Sequence, residues 1–314
     1  MAGSASERKR RRRRMTVRKV DNMNSTAQDG LSKAQSDMSE PDVFSIISEA
    51  NTELSKRTGS KIIQYGDVLV DTTRNSVVCS QRPKNCLWPS SQDGNVYVPY
   101  VIDKIYSKML SLLADHTEDQ TKVIWKSLHE ISSLTCVKFY YRRSNEPGYI
   151  SVQSENGCYS YVGYRPIKRK LSLKVPGCVH FGLVAHEFLH AIGFQHEHSR
   201  SDRDKYLKIM WENVPKGKEH NFNLLETNNL GTVYDYGSIM HYGRYAFSKN
   251  KNPTMVPIPD PNVEIGQARG LSTKDVIKIN KLYSCVHDPL YDIAAETLTD
   301  GDLIAWQEPD QTAI

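Results

Sequence analysis

Residues 186–196 read His-Glu-Phe-Leu-His-Ala-Ile-Gly-Phe-Gln-His, and few strings of this length limit a fold so tightly. At 3.6 residues per turn, His186 and His190 stand one turn apart on a single helix face, so both imidazoles can reach one ion. A helix continued past His190 would carry His196 away from that ion. The chain must therefore end the helix and turn sharply, and Gly193 sits where the turn is needed. Without a Cβ it adopts the positive φ of a helix C-terminus and folds His196 back as a third ligand. Three protein ligands leave a fourth position for water, which marks a catalytic rather than a structural zinc site. Glu187, next to the ligands, can take a proton from a water that the metal has acidified. These residues imply zinc-dependent peptide hydrolysis, with one Zn2+ per chain.

A bare H-E-x-x-H arises by chance in many helices, but the added glycine and third histidine are far more demanding. A second motif agrees with them. Ser238-Ile239-Met240-His241-Tyr242 has the form of the methionine turn that follows the long zinc motif in metzincins. Together with the string from His186 to Asp204, it resembles the astacins, over roughly Asn75 to Cys285. The resemblance implies an α+β, two-lobed protease domain, with a twisted mixed sheet and the zinc helix in its N-terminal lobe, preceded by a propeptide. Met240 would form an apolar floor under the imidazoles. Tyr242 would lend its phenol oxygen first to the zinc and then to the oxyanion. Glu197 would receive the new amino terminus after activation. Val233 departs from the family, which more often has proline there.

Six cysteines, an even number beside a protease motif, suggest disulfides and an oxidising compartment; none forms a C-x-x-C pair. Spacing alone leaves fifteen connectivities open. The resemblance implies Cys136 with Cys285, Cys158 with Cys178, and Cys79 with Cys86, the last similar to the six-cysteine hatching-enzyme (choriolysin) and nephrosin subgroup.

The net charge of +5 is unevenly placed. Residues 1–20 hold nine Lys and Arg against one Glu, which leaves 32 of the 41 basic and 35 of the 36 acidic residues for the rest of the chain. The folded part thus carries no basic footprint for nucleic acid. No apolar run approaches the roughly 18 residues of a membrane span. The basic run Arg8 to Arg14 reads as a nuclear or polyanion-binding arm, as a disordered tail, or as a start that replaced a signal exon. The last fits best, because disulfides and zymogen logic both need secretion; an intracellular or nuclear protein, or a silent binding homologue, is the alternative.

Residues 21–60 are polar, with one helical stretch from Asp42 to Leu54, and 21–74 read as the propeptide. Within Ile62 to Val70, the resemblance makes Asp67 a fourth zinc ligand that displaces the catalytic water. A Gly-Asp turn between two short strands is the plainer reading. Cutting after Arg74 by a trypsin-like activator would leave Asn75 to pair with Glu197. The catalytic domain spans 75–285 and an acidic tail 286–314, in a chain expected to be a monomer acting on protein or peptide substrates.

Apolar spacing predicts a helix over Pro99 to Ala114, and Thr117 to Gln120 reads as a capping box opening a helix through Ile131. Residues 136–141 and 149–153 read as strands. The zinc helix is expected from Phe181 to Ile192, after a turn at Pro176-Gly177, and a last helix from Ser272 to Tyr283. Arg200, Asp202, Arg203 and Asp204 read as an ion-pair cluster bracing the turn after His196.

Overall fold

The computed structural model describes residues 42–58, 63–69, 86–108, 120–143 and 145–285. Thr117 to Asp119, Arg74, Asn75, Cys79 and both chain ends lie outside them. Helix α1 (Val43–Thr58) leads into a two-stranded turn, β1 (Ile63–Gln64) and β2 (Val68–Leu69). Then come β3 (Val96–Ile102), the single turn α2 (Ile105–Lys108), α3 (Gln120–Leu134), β4 (Val137–Tyr141), β5 (Tyr149–Gln153), β6 (Cys158–Ser160) and β7 (Lys168–Leu173). Helix α4 (Phe181–Ala191) follows, then the pair β8 (Leu207–Ile209) and β9 (Met255–Pro257), and finally α5 (Thr273–Tyr283). The strands form a seven-stranded sheet in the order β1-β2-β6-β7-β5-β3-β4.

That sheet is mixed. β4, β3, β5 and β7 pair in parallel, β6 lies antiparallel to β7, and β2 adds to β6 in parallel through Val68 and Ser160. The expected helix over Pro99 to Ala114 is corrected: residues 96–102 are a central strand, and only Ile105–Lys108 turn into helix, with 109–114 outside the described residues. Val96 to Ile102 is a β-branched and aromatic run whose two neighbours, β4 and β5, lie far away in sequence, so local helical spacing misleads. Pro99 is tolerated because Val96 N and Tyr100 O face β4, turning the proline's missing N–H to the other side, where β5 pairing begins only at Tyr100.

Helix α4 is buried from Gly182 to Ala191. An apolar-all-round helix is what a core position requires, and Leu183, Val184, Phe188 and Leu189 meet the sheet residues Val98, Ile150, Leu171 and Leu173 in one core. Ser127 of α3 donates to Phe181 O at 2.7 Å, fixing the start of α4. Beyond α4 the chain runs mostly in 310 turns and loops until α5, the looser second lobe. Helix α5 starts at a capping box in which Ser272 and Asp275 satisfy each other's backbone N–H. Disulfides join Cys136 to Cys285 and Cys158 to Cys178, and Cys86 is also disulfide-bonded. No helix among the described residues is long and apolar enough to cross a membrane.

Candidate metal centre

Helix α4 ends in a Schellman turn. Phe194 N–H donates to Leu189 O and Gly193 N–H to His190 O, with Gly193 at φ +112°. A Cβ at Gly193 would meet nothing closer than 3.4 Å, so it is the backbone angle that calls for glycine. Gly163 N–H also donates to His190 O, and the next carbonyls of the helix end are occupied too, Ala191 O by Trp88 Nε1 at 2.9 Å and Ile192 O by the Tyr283 hydroxyl at 2.7 Å. The reversed chain brings His196 Nε2 to 3.2 Å from His190 Nε2.

Into this cluster comes Asp67. It sits on the turn between β1 and β2, as the plainer reading of that segment has it. Asp67 Oδ2 lies 2.9 Å from His186 Nε2, and Oδ1 lies 3.1 Å from His196 Nε2 and 3.4 Å from His190 Nε2. All four side chains are buried, and their ligand atoms lie within 4.8 Å of one another. Gly66 at φ +101° permits the approach, since a Cβ there would stand 2.7 Å from the Tyr242 hydroxyl.

The donor set fits a zinc ion. His186 Nδ1 faces Ile239 O at 2.8 Å and His190 Nδ1 faces Phe194 O at 2.7 Å. A carbonyl only accepts, so both Nδ1 atoms carry the proton and both Nε2 atoms turn lone pairs inward. Lone pairs and a carboxylate that converge in a buried space repel each other unless a cation lies among them, and three nitrogens with one oxygen suit zinc. Asp67 Oδ1 and His196 Nδ1 accept or donate no hydrogen bond within the protein. Burial alone would raise the Asp67 carboxyl; when His196 and His190 carry a second proton, their charge outweighs burial and lowers it well below the usual carboxylate range. Burial pushes the His196 imidazole down to about 4.

Glu187 is fully buried with both oxygens unpartnered. Burial, and then the charge of Asp67, raises its carboxyl well above the ordinary value. Tyr242 is also buried; its hydroxyl donates to Tyr65 O at 3.1 Å, and its ring lies 4.3 Å from that of His196. Here the phenol is engaged by the segment that carries Asp67. Met240 is buried in the core, and its carbonyl accepts from Glu197 N–H, tying the methionine turn to the third-histidine turn. Glu197 is held by Lys278 Nζ at 2.7 Å and Arg200 Nη1 at 3.1 Å, while Asn75 lies outside the described residues. Arg200 also binds Asp202, and Arg203 binds Asp204 and the carbonyls of His198 and Phe222, so the cluster does brace this turn.

Sequence reasoning missed several neighbours. Lys278 reaches Glu197 from α5, a pairing across 81 residues with no local signature beyond its place on the helix's buried face. His198 is buried with neither ring nitrogen bonded and stacks on His196 and Tyr242, at 5.1 and 4.8 Å. His241 is bonded to the Tyr234 hydroxyl and to Tyr242 O. Asp275 accepts from Ser238 Oγ and Ile239 N–H, so the cap of α5 also holds the methionine turn that orients His186. Asn51 of α1 belongs to no motif.

Residues 98–284 match the family model described as Astacin, a peptidase family. The low choriolytic enzyme of Oryzias latipes is 42% identical over 267 residues, 85% of this chain and 92% of that protein. The astacin-like metalloendopeptidase of Gallus gallus is 40% identical over 259 residues, 82% of this chain and 58% of that protein. A solved structure, high choriolytic enzyme 1, a hatching-enzyme zinc-protease from Oryzias latipes, superposes with TM-score 0.58 at 43% identity, covering 64% of this chain and 96% of that one. The family model over residues 98–284 and these relatives agree: this chain belongs to the astacin family of metalloendopeptidases.

Proposed function

We propose that the chain is the zymogen of a zinc endopeptidase that cuts extracellular proteins. One zinc ion per chain would be held by His186, His190 and His196, with Asp67 filling the remaining position until residues 21–74 are removed. The observation that carries this reading is the meeting of Asp67 with the three histidines in one buried group. A zinc ion held there would supply Lewis acidity toward a water and the scissile carbonyl. Glu187 takes the proton of the attacking water and returns it to the leaving amine. Departure of Tyr65 to Asp67 frees the Tyr242 hydroxyl, which then donates to the developing oxyanion. Met240, Gly193 and Glu197 keep the frame in place.

Secretion is supported by the disulfides. The choriolytic and hatching enzymes among the relatives support an egg envelope, or another extracellular protein, as substrate. Activation follows a trypsin-like cut after Arg74, and the catalytic unit, residues 75–285, acts as a monomer. The test compares Arg74-cut protein with its Glu187→Gln variant. Zinc content, read by elemental mass spectrometry, stays at one per chain, while casein cleavage falls by about 10²-fold or more. A variant that cleaves at the parental rate removes Glu187 from this role.

A further inference from the structure

Asn51 is a buried polar side chain for which the site described above supplies no role. It lies on α1, is 3% exposed, and is the buried polar residue among the described side chains of a helix otherwise anchored by Val43, Phe44, Ile47 and Ala50. Apolar contacts hold a helix without fixing its register; a carboxamide with directed bonds does fix it. Asn51 Oδ1 accepts from Cys158 N–H at 2.7 Å, and Nδ2 donates to Cys158 O at 2.8 Å and to Gly66 O at 2.9 Å. The first two are the pair of bonds that one residue of an added strand exchanges with its partner in an antiparallel ladder.

Cys158 belongs to β6, which has β7 on one side, with Leu173 opposite Cys158. The other side is covered in two ways. At Ser160 the N–H donates to the main-chain carbonyl of Asp67 at 3.0 Å; at Cys158 the cover is the Asn51 side chain. Gly157 makes room for it, since a Cβ there would stand 2.1 Å from Asn51 Oδ1.

We infer that Asn51 is a positioning residue of the segment that carries Asp67, working as a mimic of a peptide bond. Its bond to Gly66 O holds Asp67 among the histidines. Its paired bonds to Cys158 take the main-chain groups that an extended protein substrate adding to β6 would use. The inference rests on the reading of residues 42–69 as an inhibitory segment, and it assigns that segment a second point of hold, independent of the carboxylate.

The experiment uses the full-length chain with Arg74→Gln, which blocks the activating cut. Asn51→Leu keeps the bulk and loses all three bonds; Asn51→Ala loses them without adding bulk, should leucine fit badly. Hydrogen exchange at the Cys158 amide is followed together with turnover of a quenched fluorescent peptide. Both rise in the variants, each by about tenfold or more, the scale of losing directed hydrogen bonds at a net of about 1 kcal/mol apiece. Unchanged exchange at Cys158 in both variants overturns the inference. So does faster exchange with no rise in turnover, if wild-type chain cut after Arg74 is active. An inactive cut wild-type chain is the separate failure, that of the protease reading.

Discussion

At the residue scale, Asp67 and Glu197 show two ways of keeping a carboxylate out of water. Asp67 is charged among three imidazoles, so its removal leaves the cluster short of a negative group and its fourth position open. Asp67→Ala in the uncut full-length chain is expected to give premature peptide cleavage, measured before any processing after Arg74; a silent variant counts against the switch. Glu197 is held by two cations in the protein interior, and burial pushes its carboxyl up against the lowering effects of Lys278 and Arg200. Lys278→Met leaves that charge half paired. The expected loss is about 3 kcal/mol of unfolding free energy in urea. Adding Glu197→Gln to the same chain restores part of it, and equal losses in the single and double variants would show that the loss does not come from an unpaired charge. The meeting of His186, His190 and His196 was legible in the sequence because a helix turn and a glycine bring them together locally. Lys278 and Asn51 were not, because each partner lies on another element and the residue types carry no motif.

Elements show the same division. Helices α4 and α5 were legible: α4 has its glycine stop, and α5 has Ser272 and Asp275 at capping-box spacing, so each is announced within a dozen residues. Strand β3 was misread because parallel pairing with β4 and β5 is decided by residues 40 to 50 positions away, a contact no local period records. Strands β6 and β7 were not foreseen either, since CYS and KRKLSL carry little apolar alternation. Packing between α3 and the loop before α5 gives a pH prediction. Glu130 of α3 is mostly buried beside Leu271 and Asp275, and burial raises its carboxyl to about 7. With the unfolded value near 4.5, the fold favours the protonated form. This contribution is fully present below pH 4.5 and is lost as pH rises through about 7. A plot of melting temperature against pH is expected to fall less steeply over that window in Glu130→Gln than in the parent; superimposable plots would assign the slope to other groups.

On the scale of the whole molecule, two disulfides close loops of very different size. Cys136–Cys285 spans 149 residues and joins the start of β4 to the end of α5, whereas Cys158–Cys178 spans 20. Restriction of the unfolded chain predicts a larger loss for the long loop, about 5 kcal/mol against about 3. Urea unfolding of the two paired Cys→Ser variants checks the order, and a reversed order would point to native contacts rather than chain entropy.

The end of α4 has its carbonyls claimed from four places: its own turn, Gly163, Trp88 and Tyr283. None of these lies in residues 42–69. If that segment leaves on activation, as proposed above, the end of α4 keeps every one of these bonds. The time needed to become active would then be set by how quickly a severed peptide diffuses out of its groove. Adding that peptide back in excess should slow the onset in proportion to its concentration.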